Sequence, residues 1–108
     1  MTDRELLELA AKAAGADYEI DPDSGEIEIL SEIGGMSGFW NPLADDGDAL
    51  RLAVKLGLHV TPEPDIGGVT AGIPDEGWQE ERVEEGGDMN ASTRRAIVRA
   101  AAEIGAAP

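Results

Sequence analysis

The fold class predicted by this chain is α+β: a small sheet containing a β-hairpin, packed by about three helices. Three observations predict it. Residues 2–14, 45–57 and 91–104 carry apolar side chains at helical intervals. Residues 17–30 alternate polar and apolar on both sides of a turn sequence. The length of 108 residues fits a single domain, 1–108.

Each element has its own local reason. Thr2 and Glu5 stand at capping-box spacing before Leu6, Leu9, Ala10 and Ala13, and Gly15 lies where the helix would end. Asp17-Tyr18-Glu19-Ile20-Asp21 alternates strictly, Pro22-Asp23-Ser24-Gly25 supplies turn chemistry, and Glu26-Ile27-Glu28-Ile29 alternates again. A four-residue loop pairs Ile20 with Ile27, Glu19 with Glu28 and Asp21 with Glu26. Gly34, Gly35 and Gly38 read as a flexible connection leading to a short strand at Phe39-Trp40, and Asn41-Pro42 shapes the turn that follows. A second helix runs from Asp45 to Gly57, with Asp45, Asp46 and Asp48 at its positive end. Its apolar residues, Leu50, Leu52, Ala53, Val54 and Leu56, cover a wide arc that predicts burial around most of the circumference. Strands are expected at Leu58–Thr61 and Val69–Ile73, while Trp78 to Glu85 reads equally as strand or coil. Asn90 is the expected cap of the last helix, whose Arg94, Arg95 and Arg99 lie on its outer side.

Composition excludes several function classes. There is no cysteine, hence no disulfide, thiolate metal site or thiol catalysis. No apolar run approaches the roughly 18 residues of a membrane-spanning helix. The formal net charge of −15 with only eight Lys and Arg argues against direct binding of nucleic acid or an anionic membrane. A basic partner is the natural complement. The start, Met1-Thr2-Asp3-Arg4-Glu5, is unlike a secretory leader, so the expected location is cytoplasmic.

Three stretches carry a family resemblance. Trp40-Asn41-Pro42-Leu43, with the run from Asp45 to Leu56, resembles the signature of small phage and prophage proteins of the "phage ABA sandwich" family. The run from Thr93 to Ile104 is similar to that family's C-terminal helix, and Leu6-Leu7-Glu8-Leu9-Ala10-Ala11 to its N-terminal one. The resemblance covers about half the chain. It implies an α/β sandwich encoded by a phage or prophage and acting in a bacterial host cell, and it implies no reaction. Between Pro62 and Asn90 this chain carries Pro, Gly and Glu where the family has more apolar sequence, so 62–90 is expected to be a loop-rich, partly flexible insertion.

Catalytic chemistry finds little to stand on, and the expectation is no enzyme, no cofactor and no metal. His59 is the only histidine and sits among strand residues with no partner to orient it. Gly34-Gly35-Met36-Ser37-Gly38 lacks the Gly-Lys-Ser/Thr of a phosphate loop. Asp21-Pro22-Asp23-Ser24-Gly25-Glu26 has its glycine one position early for a calcium loop and no acid at the twelfth position. Asp45-Asp46-Gly47-Asp48 could hold a hard cation, but acids at a helix start serve first as caps and dipole partners.

The arrangement of acid is the remaining signal. In the hairpin, Asp17, Glu19, Asp21, Glu26 and Glu28 project from one face, opposite Tyr18, Ile20, Ile27 and Ile29. Successive carboxylates on one strand lie roughly 7 Å apart, twice the strand rise. Directly opposed like charges weaken a sheet, so the pattern invites a functional reading. A second cluster runs through Asp75, Glu76, Glu80, Glu81, Glu84, Glu85 and Asp88, whereas residues 91–108 are net positive. The expected partner surface therefore comprises Asp17, Glu19, Asp21, Glu26 and Glu28, with Glu80, Glu81, Glu84 and Glu85. Its expected partner is a basic host protein or a nucleic-acid-binding complex. The alternative is a phage structural or assembly protein whose acid serves solubility and whose apolar interface centres on Phe39-Trp40 or the last helix.

Overall fold

The computed structural model describes residues 1–74, 76–82 and 88–107. Three helices pack with two three-stranded antiparallel sheets, where the sequence predicted one. The chain is an α+β fold. Helix α1 (Asp3–Ala13) begins at the predicted capping box: the Glu5 N–H donates to Thr2 Oγ1 at 3.2 Å, and the Thr2 N–H to Glu5 Oε1 at 3.3 Å. Those bonds to Thr2, the backbone one foremost, hold the Glu5 carboxyl below the ordinary carboxylate range.

The first sheet has the order β1-β2-β3, with β1 at Tyr18–Ile20, β2 at Ile27–Ile33 and β3 at Met36–Trp40. Its hairpin register is the predicted one, with Ile20 opposite Ile27 and Glu19 opposite Glu28, and the Asp21 N–H donates to the Glu26 carbonyl. The glycines after Ile33 are not a flexible connection. Gly34 and Gly35 form a two-residue hairpin turn with φ of +60° and +83°, the sign a type I′ turn needs at both positions. They turn the chain directly into β3.

Helix α2 (Asp46–Leu56) follows, capped by the Asp45 carboxylate on the Asp48 N–H at 2.8 Å. The expected wide burial of this helix is wrong. Ala49, Leu52 and Ala53 are buried, but Leu50 and Val54 are 63% and 72% exposed. Asp48, one of the acids at the helix start, is buried as well.

The second sheet has the order β4-β5-β6, with β4 at His59–Glu63, β5 at Gly68–Ile73 and β6 at Gly77–Arg82. A single 3-10 turn at Pro64–Ile66 links β4 to β5. The stretch expected to be a loop-rich insertion thus carries two strands. Helix α3 (Met89–Ala106) begins two residues earlier than predicted, with Asp88 rather than Asn90 as its cap. It packs against α1, α2 and all three strands of the second sheet. Its approach to α1 is close: a Cβ on Gly105 would lie 1.9 Å from the Leu9 carbonyl oxygen. Ala10, Ala11, Ala101 and Ala102, all buried, are what allow two backbones to come so near. Ile27, Ile29, Ile33, Trp40, Leu52, Val69 and Val98 fill the remaining core.

Candidate binding face

Alternation places Glu19 on β1 and Glu28 on β2 on the side of the first sheet that faces away from the core, while Ile27 and Ile29 point inward and are buried. Tyr18 turns toward α1, where its hydroxyl donates to Glu8 Oε1 at 3.3 Å. Partial burial, and then the Glu8 charge, push the Tyr18 phenol above its ordinary pKa. Glu19 and Glu28 stand directly opposite each other. Among the described residues neither is ion-paired.

The other three hairpin carboxylates differ. Asp21 Oδ1 accepts from the Asp23 and Ser24 N–H groups at 2.8 and 3.2 Å, so this side chain builds the turn. Asp17 and Glu26 sit at the two ends of the pairing, both exposed. The sequence missed an apolar component of the same face. Phe39 on β3 lies opposite Glu28, giving the row Glu19–Glu28–Phe39, and is 59% exposed. Leu30, next outward on β2, is also exposed. The Gly-Gly pair between Ile33 and Met36 was the available signal, since a two-glycine link is one a hairpin uses, although a loose linker reads the same. Beside the face, Arg4, Gly25, Glu26, Phe39 and Asp45 border a recess of about 440 Å³.

The second cluster is arranged otherwise. Glu81 is opposite Val69 on the core side of β6; its carboxylate pairs with Arg99 and lies 4.0 Å from Arg95 Nε. Its side chain is 18% exposed, so it leaves the predicted partner surface. Glu80 lies opposite Thr70 on the outward side, and its carbonyl accepts from Arg99. Glu84 and Glu85 lie outside the described residues. The structure therefore brings the hairpin acids together and does not join them to Glu81.

The arginines of α3 are clamps rather than an open basic surface. Arg94 reaches Asp46 at 2.6 Å and the Leu43 carbonyl at 2.9 Å, and Arg95 reaches Asp3 at 3.0 Å. The acidic start of α2 is likewise occupied: Asp45 caps, Asp46 binds Arg94, and Asp48 accepts from the Asn41 N–H at 3.0 Å and from Arg51 at 2.8 Å. Trp40, 5% exposed, packs inward, and Asn41 Oδ1 accepts from the Leu43 N–H to shape the corner, as the sequence predicts. Of the apolar interface expected at Phe39-Trp40, Trp40 is therefore inside the core and Phe39 is at the surface. His59 is exposed and meets the edge of Trp78, with centroids 6.3 Å apart, across Gly72.

Among the described residues no group of three or more His, Asp or Glu is placed to hold a metal ion, and no helix is long and apolar enough to cross a membrane. No protein-family model matches the chain, nor does any curated protein or solved structure.

Proposed function

We propose that this is a non-enzymatic accessory protein, encoded by a phage or prophage, that binds a basic host protein through the outward face of its first sheet. In its most concrete form it is a nucleic-acid mimic that occupies the basic channel of a bacterial defence complex, as a CRISPR effector would offer. The observation that carries this reading is the Glu19–Glu28 pair, an exposed and a half-buried carboxylate held opposite each other with no ion-pair partner among the described residues. Like charges so placed weaken the sheet, and a cationic partner removes that penalty on binding. The net charge of −15 supplies the long-range attraction. The resemblance to phage proteins supports the origin. The interface is narrower than the sequence implied, since Glu81 is already spent on Arg99.

The test is capture from a bacterial lysate over a salt series, with wild type beside a variant carrying Glu19→Lys, Glu26→Lys and Glu28→Lys. Wild-type capture should fall steeply between low and high salt, and the triple variant should capture nothing specific. Undiminished capture by the triple variant would remove the hairpin face from the interface.

A second reading has its own observation. Leu50, Ala53, Pro62, Met89 and Ile97 line a mainly apolar recess of about 450 Å³ between α2, β4 and the start of α3, beside the exposed Val54. A phage assembly protein whose acid only keeps it soluble would use this surface. Its capture would survive high salt and be lost on Leu50→Glu.

A further inference from the structure

The direction of the main-chain groups along the first sheet can be followed strand by strand. Asp21 donates to the Glu26 carbonyl and Leu30 to the Asp17 carbonyl, each at 2.8 Å, so residues 26, 28 and 30 turn their polar groups toward β1. Alternation then turns those of Ile27 and Ile29 toward β3, where they meet Trp40 and Gly38. The N–H and C=O groups of Phe39, between Trp40 and Gly38, consequently point away from β2; past Gly38, at φ +94°, the register shifts by two residues before Met36 meets Ile33, which keeps Ser37 on the same outward parity. Among the described residues no strand pairs with this edge. Asn41 continues the same alternation, and there Asp48 takes the outward N–H. The edge is capped at its end and open at Ser37–Phe39.

The other outer strands carry devices that discourage added strands. β1 has only three residues, β4 contains Pro62 and Glu63, and β6 contains Glu80, Glu81 and Arg82. β3, Met36-Ser37-Gly38-Phe39-Trp40, has neither charge nor proline. A second copy of the chain would bring another net charge of −15 to the same place, which disfavours pairing of two such edges.

We propose that β3 is a docking edge that takes an extended segment of a basic partner as a fourth strand of the first sheet, with a Lys or Arg side chain beside Phe39. The row Glu19–Glu28–Phe39 extends onto the added strand. A cation there lies over the exposed ring and faces Glu28 two strand spacings away, about 10 Å, within the joint reach of the two side chains. The backbone bonds of Ser37 and Phe39 fix the register, and the cation fixes the choice of partner. This inference rests on the acidic-face reading for the sign of the partner's charge.

The probe is a nine-residue peptide of alternating Lys and Val with blocked termini, titrated at low salt into the isotope-labelled full chain and followed by amide NMR and hydrogen exchange. Binding should slow exchange at Ser37 and Phe39. Ser37→Pro should weaken it about tenfold, as expected for the loss of one or two edge hydrogen bonds, and Phe39→Ala should weaken it measurably. Should Ser37→Pro disturb folding, the same peptide N-methylated on alternate residues blocks the edge from the ligand side and should lose binding to the same degree. An alternating Glu and Val peptide should not bind. Binding that is lost on Glu19→Lys with Glu28→Lys, yet indifferent to peptide N-methylation, would overturn the edge and leave the acidic face standing. Equal binding of the Glu peptide would overturn both. Protection of Ser37 and Phe39 in the free protein with concentration-dependent sedimentation would identify a second copy as the occupant and overturn the proposal.

Discussion

The two sheets are built alike, three short antiparallel strands each, and both carry glutamates on their strands, yet the fate of those carboxylates differs. In the second sheet α3 lies across the strands and brings Arg95 and Arg99 to Glu81. In the first sheet the nearby helix α1 offers Glu8 to Tyr18, and its Arg4 sits by the turn, against Gly25, not over the face. Among the described residues Glu19 and Glu28 stay opposite each other without a cation. The same residue type on the same kind of strand is structural in one place and unsatisfied in the other, and the packing helix decides which.

The strongest way to break this comparison is to separate the two halves. α2 packs on β2 and α1 reaches the first sheet through the Tyr18–Glu8 hydrogen bond, α3 packs on the second sheet, and α1 and α3 meet where Gly105 touches the Leu9 backbone. A Val at Gly105 has no flexible neighbour to displace, because the atoms it meets are main chain. Gly105→Val is expected to cost about 3 kcal/mol, at the high end for overpacking, and to lower the melting temperature by more than about 10 °C. Chemical denaturation monitored by circular dichroism measures it; a loss under about 1 kcal/mol would mean the helices can slide apart freely.

The next expectation concerns the second sheet alone. Removing the Arg99 side chain takes the cation from Glu81 and a donor from the Glu80 carbonyl. Arg99→Ala should destabilise by about 1 kcal/mol, because the pair is sheltered but the arginine is partly in solvent. A double-mutant cycle with Glu81→Gln should return a coupling energy of similar size. A coupling near zero would place Glu81 in the same class as the free acids of the first sheet.

What was legible in the sequence follows from locality. The hairpin register could be read because strict alternation on both arms and Pro22-Asp23-Ser24-Gly25 between them leave one in-register pairing. The bounds of α2 could be read because Asp45 caps and Gly57 ends it within a few residues of the apolar run. Gly34-Gly35 was not, since two glycines look the same in a tight turn and in a loose linker until β2 and β3 are known to pair. The burial of α2 failed for a related reason: Leu50 and Val54 are as apolar as Leu52, and only tertiary packing determines which side is covered. Glu81 was misplaced because its partner, Arg99, lies on a helix that reaches it only in the folded chain. The face was thus half visible: Glu19 and Glu28 stand opposite each other as the hairpin register predicts, while the place of Phe39 beside them hung on an unrecognised turn.

The smallest expected effect is also the one of opposite sign. Replacing Glu28 by Gln keeps the shape of the side chain and removes one charge of the opposed pair. Cross-strand repulsion on an exposed face amounts to a few tenths of a kcal/mol, so Glu28→Gln should stabilise the free protein by about 0.5 kcal/mol at low salt. Glu19→Gln should do the same, and the two together should give less than their sum, since either one already abolishes the pair. The gain should shrink as salt rises from about 0.1 M to 1 M, where the screening length falls from roughly 10 Å to 3 Å. Glu81→Gln, in contrast, should destabilise at every salt concentration because its partner sits within a sheltered contact. If Glu28→Gln instead lowers stability, Glu28 is held by a favourable interaction in the free protein. The first sheet would then have no unmet charge to offer a partner.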